Sequence, residues 1–307
     1  MVSEKMSENP MGVIIMVPYK TYAVIGGDLR QAHIANRIAA EGNTVYPLLL
    51  EENPTLLREL ICEEPLETVL PRCDVVILPL PLSVDDSNIN APFSKRKLSL
   101  KHCFESIKPG TAIFAGKVDA AAKLAKKYGH SITDYLEREE LAIKNAAITA
   151  EAAVAIAVEE QPVALFGSHC LIVGHGRIAR SLMRILNGMS ASVAVAARKY
   201  GDLAQIQAEG CEPIPFGELK RYLHDADIVF NTVPAKVLNR EELSLIRSTT
   251  LLIDLASRPG GIDLDAAGEL GVKTIWALSL PGKTSPISAG EFIWETVENC
   301  LRERGDA

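Results

Sequence analysis

One stretch of this 307-residue chain decides the fold, the sequence LIVGHGRIA at residues 171–179. An apolar run ends at Gly174 and Gly176, and a helical pattern of apolar residues then runs from Ile178 to Leu186. Residues 192–197 are typical of a second strand. In such a strand–turn–helix, the first glycine permits a tight turn and the second lets a pyrophosphate approach the backbone. The stretch therefore predicts a dinucleotide site at the N-terminus of a helix, and the alternative is a purely structural turn.

The end of the second strand indicates which dinucleotide would bind. An NAD site usually has Asp or Glu there, which binds the ribose 2′-hydroxyl. This chain has Arg198 and Lys199 instead, and residues 187–201 contain no acidic side chain. Two cations suit a 2′-phosphate, so we expect NADP, with NAD as the alternative, unless both are ordinary solvated charges. The predicted cofactor-binding residues are Gly174, Gly176, Arg177, Ile178, Arg198, Lys199, Thr232, Val233 and Pro234.

An earlier segment of the chain repeats this plan. A strand at residues 22–25 ends in Gly26-Gly27, and a helical pattern at 31–41 and a strand at 44–50 follow. Strands that alternate with helices predict parallel sheets that are covered on both faces. We therefore predict an α/β protein of two tandem Rossmann-like, doubly wound parallel-sheet domains, 1–148 and 149–287. A long linker helix over 138–158 would join them, and a C-terminal helix over 288–304 would pack on the first domain.

The first repeat lacks the phosphate-binding pattern. Asp28 places a carboxylate where a pyrophosphate would lie, so we expect no second dinucleotide there. Asp28 is either the N-cap of the following helix or, with Arg30 and Gln31, part of a substrate site that faces the cleft between the domains.

A loop after a predicted strand offers a second candidate site. Arg258 precedes the sequence Pro-Gly-Gly at 259–261 and can bind a carboxylate through two hydrogen bonds. Adjacent glycines would let backbone amides approach a ligand, although the turn is also explained as a tight turn alone. Further cations that could bind the same ligand are Arg30, Lys117 and Lys283. This grouping of cations in an acidic chain predicts a small substrate with two or more negative charges.

Composition excludes several classes of protein. The chain has 32 basic and 39 acidic residues, a net charge of −7, which does not favour binding to nucleic acid or to an anionic membrane. The apolar stretch from Ala146 to Val158 is interrupted by Glu151, and the segment Met1–Pro10 is polar and without a signal-peptide cleavage pattern. We expect a cytoplasmic protein. Its six cysteines lack paired spacing and are expected to be buried, reduced and without a metal.

The histidines bear on the reaction. A D-2-hydroxyacid dehydrogenase, which is similar in domain layout, needs a histidine acid–base late in its cofactor domain or just after it. None occurs after His224, so this chemistry is not favoured. His175, inside the glycine turn, and His169, just before it, are interpreted as structural.

Several strings in the chain are similar to those of the dipicolinate synthase A-subunit family. They are GGDLRQ at 26–31, EREELAI at 137–143, DLASRPGG at 254–261, LPG at 280–282 and SAG at 288–290. The similarity extends over nearly the whole chain from about Tyr22. It departs at 145–152, where Ile148 and Ala152 replace an expected proline and glycine, which would lengthen the linker helix. The segment up to Lys20 is also unmatched.

The resemblance implies an NADP-dependent dehydrogenase of the mother-cell cytoplasm in spore-forming bacteria. Such an enzyme oxidises dihydrodipicolinate, or its hydroxylated tetrahydro precursor, to pyridine-2,6-dicarboxylate, together with a flavoprotein-like B-subunit of the dipicolinate synthase. The implied catalytic residues are Arg258, Ser257 and Glu151, with Glu151 and Asp28 as candidates for the base. The implied substrate-binding residues are Asp28, Arg30, Gln31, Lys117, Gly260 and Gly261.

Two alternatives stay open at this point. One is an NADP-dependent oxidoreductase that acts on another small carboxylate, and the other is a non-catalytic NADP-binding scaffold subunit. We also expect a homo-oligomer, with no nucleic-acid or membrane partner.

Overall fold

The computed structural model describes residues 4–8, 14–18 and 20–305, which form two compact units. Unit 1 comprises Met1–Ala142 and Ser285–Ala307, and unit 2 comprises Ile143–Thr284. The division falls a few residues before the predicted boundary at residue 148, and it lies inside the long helix. Much of the amino-terminal segment for which we predicted no signal peptide lies outside the described residues.

Unit 1 contains a five-stranded parallel sheet. A two-stranded antiparallel ladder, β1 (Glu4–Glu8) and β2 (Ile14–Pro18), precedes it. The sheet strands are β3 (Thr21–Ile25), β4 (Thr44–Leu48), β5 (Val75–Ile77), β6 (Ala112–Ala115) and β7 (Ile132–Asp134). Their spatial order is β4-β3-β5-β6-β7, so the winding direction reverses between β3 and β5, as in a doubly wound sheet. The helices are α1 (Leu29–Ala40), α2 (Leu66–Val69), α3 (Leu100–Ser106) and α4 (Asp119–Lys127).

The helix α1 begins with a capping box. The Asp28 carboxylate accepts a hydrogen bond from the Arg30 amide at 3.0 Å, and the Asp28 amide donates to Oε1 of Gln31 at 3.2 Å. The N-cap interpretation of Asp28 is therefore confirmed. Ile34 and Ile38 are fully buried on the inner face of α1, as their spacing predicts.

Unit 2 contains a six-stranded parallel sheet. Its strands are β8 (His169–Val173), β9 (Ser192–Ala197), β10 (Glu212–Pro215), β11 (Ile228–Asn231), β12 (Leu251–Asp254) and β13 (Thr274–Trp276). The order β10-β9-β8-β11-β12-β13 is that of a dinucleotide-binding Rossmann domain. The helices are α5 (Glu139–Glu160), which begins in unit 1, α6 (Arg177–Gly188), α7 (Tyr200–Ala208), α8 (Arg240–Leu243), α9 (Leu264–Glu269) and α10 (Leu280–Thr284). The predicted fold class is confirmed in both units.

Between residues 145 and 158 the long helix α5 is mostly apolar and carries one charged side chain, Glu151. Among the described residues it is the one helix whose length and hydropathy would suit a membrane crossing, but half of the relevant window is buried inside the protein. Ala150, Ala153 and Ala157 are fully buried in the same cluster as Ile172 and Leu182 of unit 2. These contacts account for part of the apolar composition of the helix.

The C-terminal helix α11 (Pro286–Glu303) packs on α1 within unit 1. Trp294 is 1% exposed and meets the ring of Tyr22 edge-on, with 5.6 Å between ring centroids. Its indole N–H donates to Oε1 of Glu41 at 3.2 Å. The carboxylate of Glu291 binds His33 at 2.8 Å and Arg37 at 3.2 Å, so apolar and charged contacts both hold α11 in place.

Removing the Trp294 side chain should destabilise unit 1 strongly. Trp294→Ala leaves a cavity under α11 and removes a hydrogen bond to the Glu41 carboxylate, so we expect a loss of about 3–5 kcal/mol in the free energy of unfolding. Urea denaturation of the full chain measures this, and Trp294→Phe should lose less because it keeps an aromatic ring. Phe166→Ala, at a position that is 78% exposed, is the control. An unchanged urea midpoint for Trp294→Ala would contradict the packing described above.

Candidate functional site

A cavity of about 450 Å³ opens where the strand order of unit 2 reverses, between the carboxyl ends of β8 and β11. The loops after β8, β9 and β11 form its wall, and α7 contributes Asp202. This is the position where doubly wound sheets bind ligands. The lining segments are residues 174–176, 196–199 and 232–235, with Asp202, Phe216 and Val237.

The glycine turn after β8 forms an open cradle for an anion. Gly174 has φ +101°, and a Cβ there would lie 2.5 Å from Oγ1 of Thr232, so this position requires glycine. Gly176 is the N-cap of α6, no side chain caps that helix, and a Cβ at Gly176 would meet nothing within 4 Å. No side chain therefore occupies the N-terminus of α6, which suits the pyrophosphate of a dinucleotide. The predicted residues Arg177 and Ile178 open this helix.

The segment after β9 brings charged side chains to the cavity wall. Arg198 and Lys199 are exposed, and neither side chain makes a hydrogen bond or ion pair with any described residue. Asp202, in the first turn of α7, also lines the cavity. The sequence interpretation missed Asp202 because the search for an acidic residue ended at Gly201. His175, interpreted as structural, also lines the cavity.

The segment that follows β11 forms another wall of the cavity. Oγ1 of Thr232 donates to the Val173 carbonyl at 2.9 Å, which joins the end of β11 to the end of β8. The side chain of Asn231, fully buried, donates to the Val233 carbonyl at 3.1 Å and accepts from the Val233 amide at 3.2 Å. These bonds fix the segment from Thr232 to Pro234, the segment predicted to contact the cofactor.

A buried carboxylate holds the loop after β12. Asp254 is 1% exposed and accepts hydrogen bonds from the Asn231 side chain at 2.8 Å, the Ala256 amide at 3.1 Å and the Gly261 amide at 2.9 Å. Gly260 has φ +86° and donates its amide to the Ser257 carbonyl at 2.8 Å. The two glycine amides that the sequence offered to a ligand are therefore bound within the protein.

The packing of the loop also requires glycine at position 261. A Cβ there would collide with the side chain of Asn231 and the carbonyl of Val233. Close packing of the loop against β11 thus explains the glycine pair.

Arg258 stands at the exposed tip of this loop, beside Ser257, which is also exposed. Its guanidinium carbon lies 5.5 Å from the ring centroid of Trp276, whose indole N–H donates to the Ala256 carbonyl at 3.0 Å. Arg258 forms no hydrogen bond or ion pair with the described residues. An aromatic ring therefore supports a cation whose hydrogen-bond donors stay available for an anion.

In unit 1, the predicted substrate residues are bound to one another. Nη2 of Arg30 lies 2.8 Å from Oδ2 of Asp28 and donates to the Leu80 carbonyl at 2.6 Å. Gln31 is fully buried. The hydroxyl of Tyr135 donates to the Leu78 carbonyl at 3.1 Å, and burial raises the pKa of this phenol, so it stays protonated. Lys117, which follows β6, is exposed. Glu151, on the part of α5 that belongs to unit 2, is also exposed and does not line the cavity.

Residues 21–136 match the family described as the N-terminal domain of the dipicolinate synthase A-subunit. Residues 127–267 match the D-isomer specific 2-hydroxyacid dehydrogenase, NAD binding domain. The second match agrees with the cradle described above and makes this a dehydrogenase-type chain with a nicotinamide dinucleotide site. It does not distinguish NADP from NAD.

Relatives match over almost the full chain. The dipicolinate synthase A-subunit of Bacillus subtilis (strain 168) is 30% identical over 283 residues, 92% of this chain and 95% of the relative. The crystal structure of the dipicolinate synthase A-subunit from Bacillus subtilis gives a TM-score of 0.84 at 28% identity, covering 92% of this chain and 96% of that one. The same protein from Bacillus halodurans gives 0.83 at 26%, covering 92% and 97%. The chain therefore belongs to the dipicolinate synthase A-subunit family.

Proposed function

We propose that this chain is the NADP-dependent dehydrogenase subunit of a dipicolinate synthase. It would oxidise dihydrodipicolinate, or its hydroxylated tetrahydro precursor, to dipicolinate in the cytoplasm during sporulation, together with the flavoprotein-like B-subunit. The observation that carries the cofactor assignment is that Arg198 and Lys199, which have no partner among the described residues, line the same cavity as a helix N-terminus without a side-chain cap. Membership of the family supports the substrate.

Different parts of the cavity wall would bind different groups of the cofactor. The amides of the first turn of α6 would hold the pyrophosphate, and Arg198 and Lys199 would hold the 2′-phosphate. Thr232 to Pro234 would flank the nicotinamide from the end of β11. A bound NADP supplies the hydride acceptor for the reaction.

Dihydrodipicolinate loses one hydride and one proton, which makes its ring aromatic, and the hydroxylated tetrahydro precursor would lose one water molecule in addition. Arg258 would hold one of the two ring carboxylates, because its donors have no partner among the described residues and its guanidinium lies over the ring of Trp276. Of the two candidates for the base, Asp28 is paired with Arg30 and Glu151 is exposed outside the cavity, so neither is assigned that role.

The direct test is an assay of the purified chain with NADP and freshly generated dihydrodipicolinate, alone and with the B-subunit. Reduced nicotinamide and dipicolinate should form together in equal amounts. Reduction with other small carboxylates but not with dihydrodipicolinate would favour a different substrate. Tight NADP binding without turnover in either assay would favour the scaffold alternative.

Removing the two cations should reverse the cofactor preference. Since a hydrogen bond to a charged group contributes about 1.5–3 kcal/mol, Arg198→Ala with Lys199→Ala should weaken NADP binding roughly 100-fold. NAD binding should change by no more than about threefold, because NAD has no 2′-phosphate. Fluorescence titration with both cofactors measures this, and Lys126→Ala on α4 is the control. Equal weakening for both cofactors would contradict the assignment.

Removing the guanidinium of Arg258 should affect the substrate alone. We expect Arg258→Ala to raise the KM for dihydrodipicolinate about 10- to 100-fold, with NADP affinity nearly unchanged. Arg258→Lys should recover only part of the loss, because an ammonium cannot make the two-point contact with a carboxylate. Steady-state kinetics separate these cases, and an unaltered KM for Arg258→Ala would refute the role.

A further inference from the structure

His175 is the one polar side chain, among the described residues that line the cavity of unit 2, that is buried without a hydrogen-bond partner. Its side chain is 1% exposed, and neither ring nitrogen makes a hydrogen bond. The closest charged group is Asp202, whose Oδ1 lies 3.4 Å from Nδ1 of the ring. Buried polar atoms are almost always hydrogen-bonded, so an unpaired imidazole in a ligand cavity needs an explanation.

Four charged side chains belong to the segments next to His175. Arg198 and Lys199 follow β9, Asp202 lies on α7, and Arg177 is two residues away at the start of α6. Asp202 makes no other hydrogen bond or ion pair with the described residues. A 2′-phosphate that binds to Arg198 and Lys199 would therefore share the cavity with a carboxylate whose one ion-pair partner among the described residues is His175. Two negative charges in one cavity oppose binding.

We propose that His175 is a specificity-determining residue that takes up a proton from solvent when the 2′-phosphate of NADP binds, and that NAD binding involves no such uptake. This inference rests on the proposed function, in which NADP is the cofactor. The protonated ring would donate from Nδ1 to Asp202 and neutralise that carboxylate. Its Nε2 would gain a proton that can be donated to the ligand.

Binding of the 2′-phosphate would change the charges beside the imidazole ring of His175. Without the phosphate, the charged side chains that line the cavity are two cations, Arg198 and Lys199, and one carboxylate, Asp202. The bound phosphate adds two negative charges and pairs with the two cations, so the balance then favours the protonated ring. Histidine is the side chain that can respond in this way near neutral pH.

The pH dependence of binding follows by linkage. Because binding takes up a proton, NADP affinity should rise as the pH falls, at most about tenfold per pH unit for one linked proton. The rise should level off near pH 6, because the phosphate monoester of free NADP itself takes up a proton at about that pH. NAD affinity should stay flat over the same range.

Calorimetric titration of the full chain tests the proposal. NADP and NAD are titrated at about pH 7.5, where histidine can still change its charge, in two buffers of different ionisation enthalpy, which gives the number of protons taken up. We expect a large fraction of one proton for NADP and none for NAD. His175→Asn should abolish the uptake and weaken NADP binding about tenfold, the effect of about one lost charge-assisted bond. NAD affinity should stay unchanged, which also shows that the variant is folded.

Two further variants complete the design. Asp202→Asn should reduce the uptake and strengthen NADP binding at alkaline pH, because the opposing carboxylate is gone. His224→Asn, at an exposed position outside the cavity, should behave like the unaltered chain.

Three results would overturn the proposal. Unchanged uptake in His175→Asn would mean that another group takes the proton, and equal weakening for NAD and NADP would show a merely structural histidine. If the unaltered chain binds NADP no more tightly than NAD even at acidic pH, the proposed cofactor fails and the inference fails with it. In the first two cases NADP binding persists, so the proposed function survives.

Discussion

The close approach of β8 and β11 is the constraint on which the cavity of unit 2 depends. Gly174 has no side chain, and the space that a Cβ would need is taken by Oγ1 of Thr232. That hydroxyl donates to the carbonyl of Val173, so the two strand ends are joined by a hydrogen bond at the point where the sheet reverses. A bulkier residue at position 174 would push β11 away and open the turn that directs the amides of α6 toward a phosphate. The absence of a Cβ at Gly174 therefore allows the ends of β8 and β11 to lie this close together.

The buried carboxylate of Asp254 extends this order to the neighbouring loop. It has no cationic partner among the described residues, and three N–H donors from Asn231, Ala256 and Gly261 satisfy it. Losing one such donor leaves a buried charge short of a partner, which costs about 1–3 kcal/mol and more for charged groups. The network ties the end of β11 to the loop that carries Arg258. The position of that arginine is thus fixed by groups that never touch a ligand.

Much of the fold could be predicted from local patterns, because strand and helix periods and glycine turns are properties of neighbouring residues. The strand at 192–197 was predicted with its observed bounds, and α1 and α11 within two residues. The site was less predictable. The direction of the Gly260 and Gly261 amides depends on where Asp254 and Ser257 lie after folding. Asp202 reaches the cavity only because the first turn of α7 folds back beside β9, and no linear search for an acid after the strand would separate it from a solvated helix residue.

The two units differ at the N-terminus of the helix that follows the glycine turn. This difference explains why, among the described residues, only unit 2 has the features of a nucleotide site. Each has a parallel strand, a glycine turn and a helix whose first amides lack partners within the helix. In unit 1, Asp28 and Gln31 close the capping box, so the chain satisfies the helix N-terminus itself and places a carboxylate where a phosphate would lie. In unit 2, Gly176 offers no side chain, and those amides stay available to an anion. The residue at the N-cap thus converts one βα turn into a packing element and the other into a binding element, although both belong to the same kind of sheet.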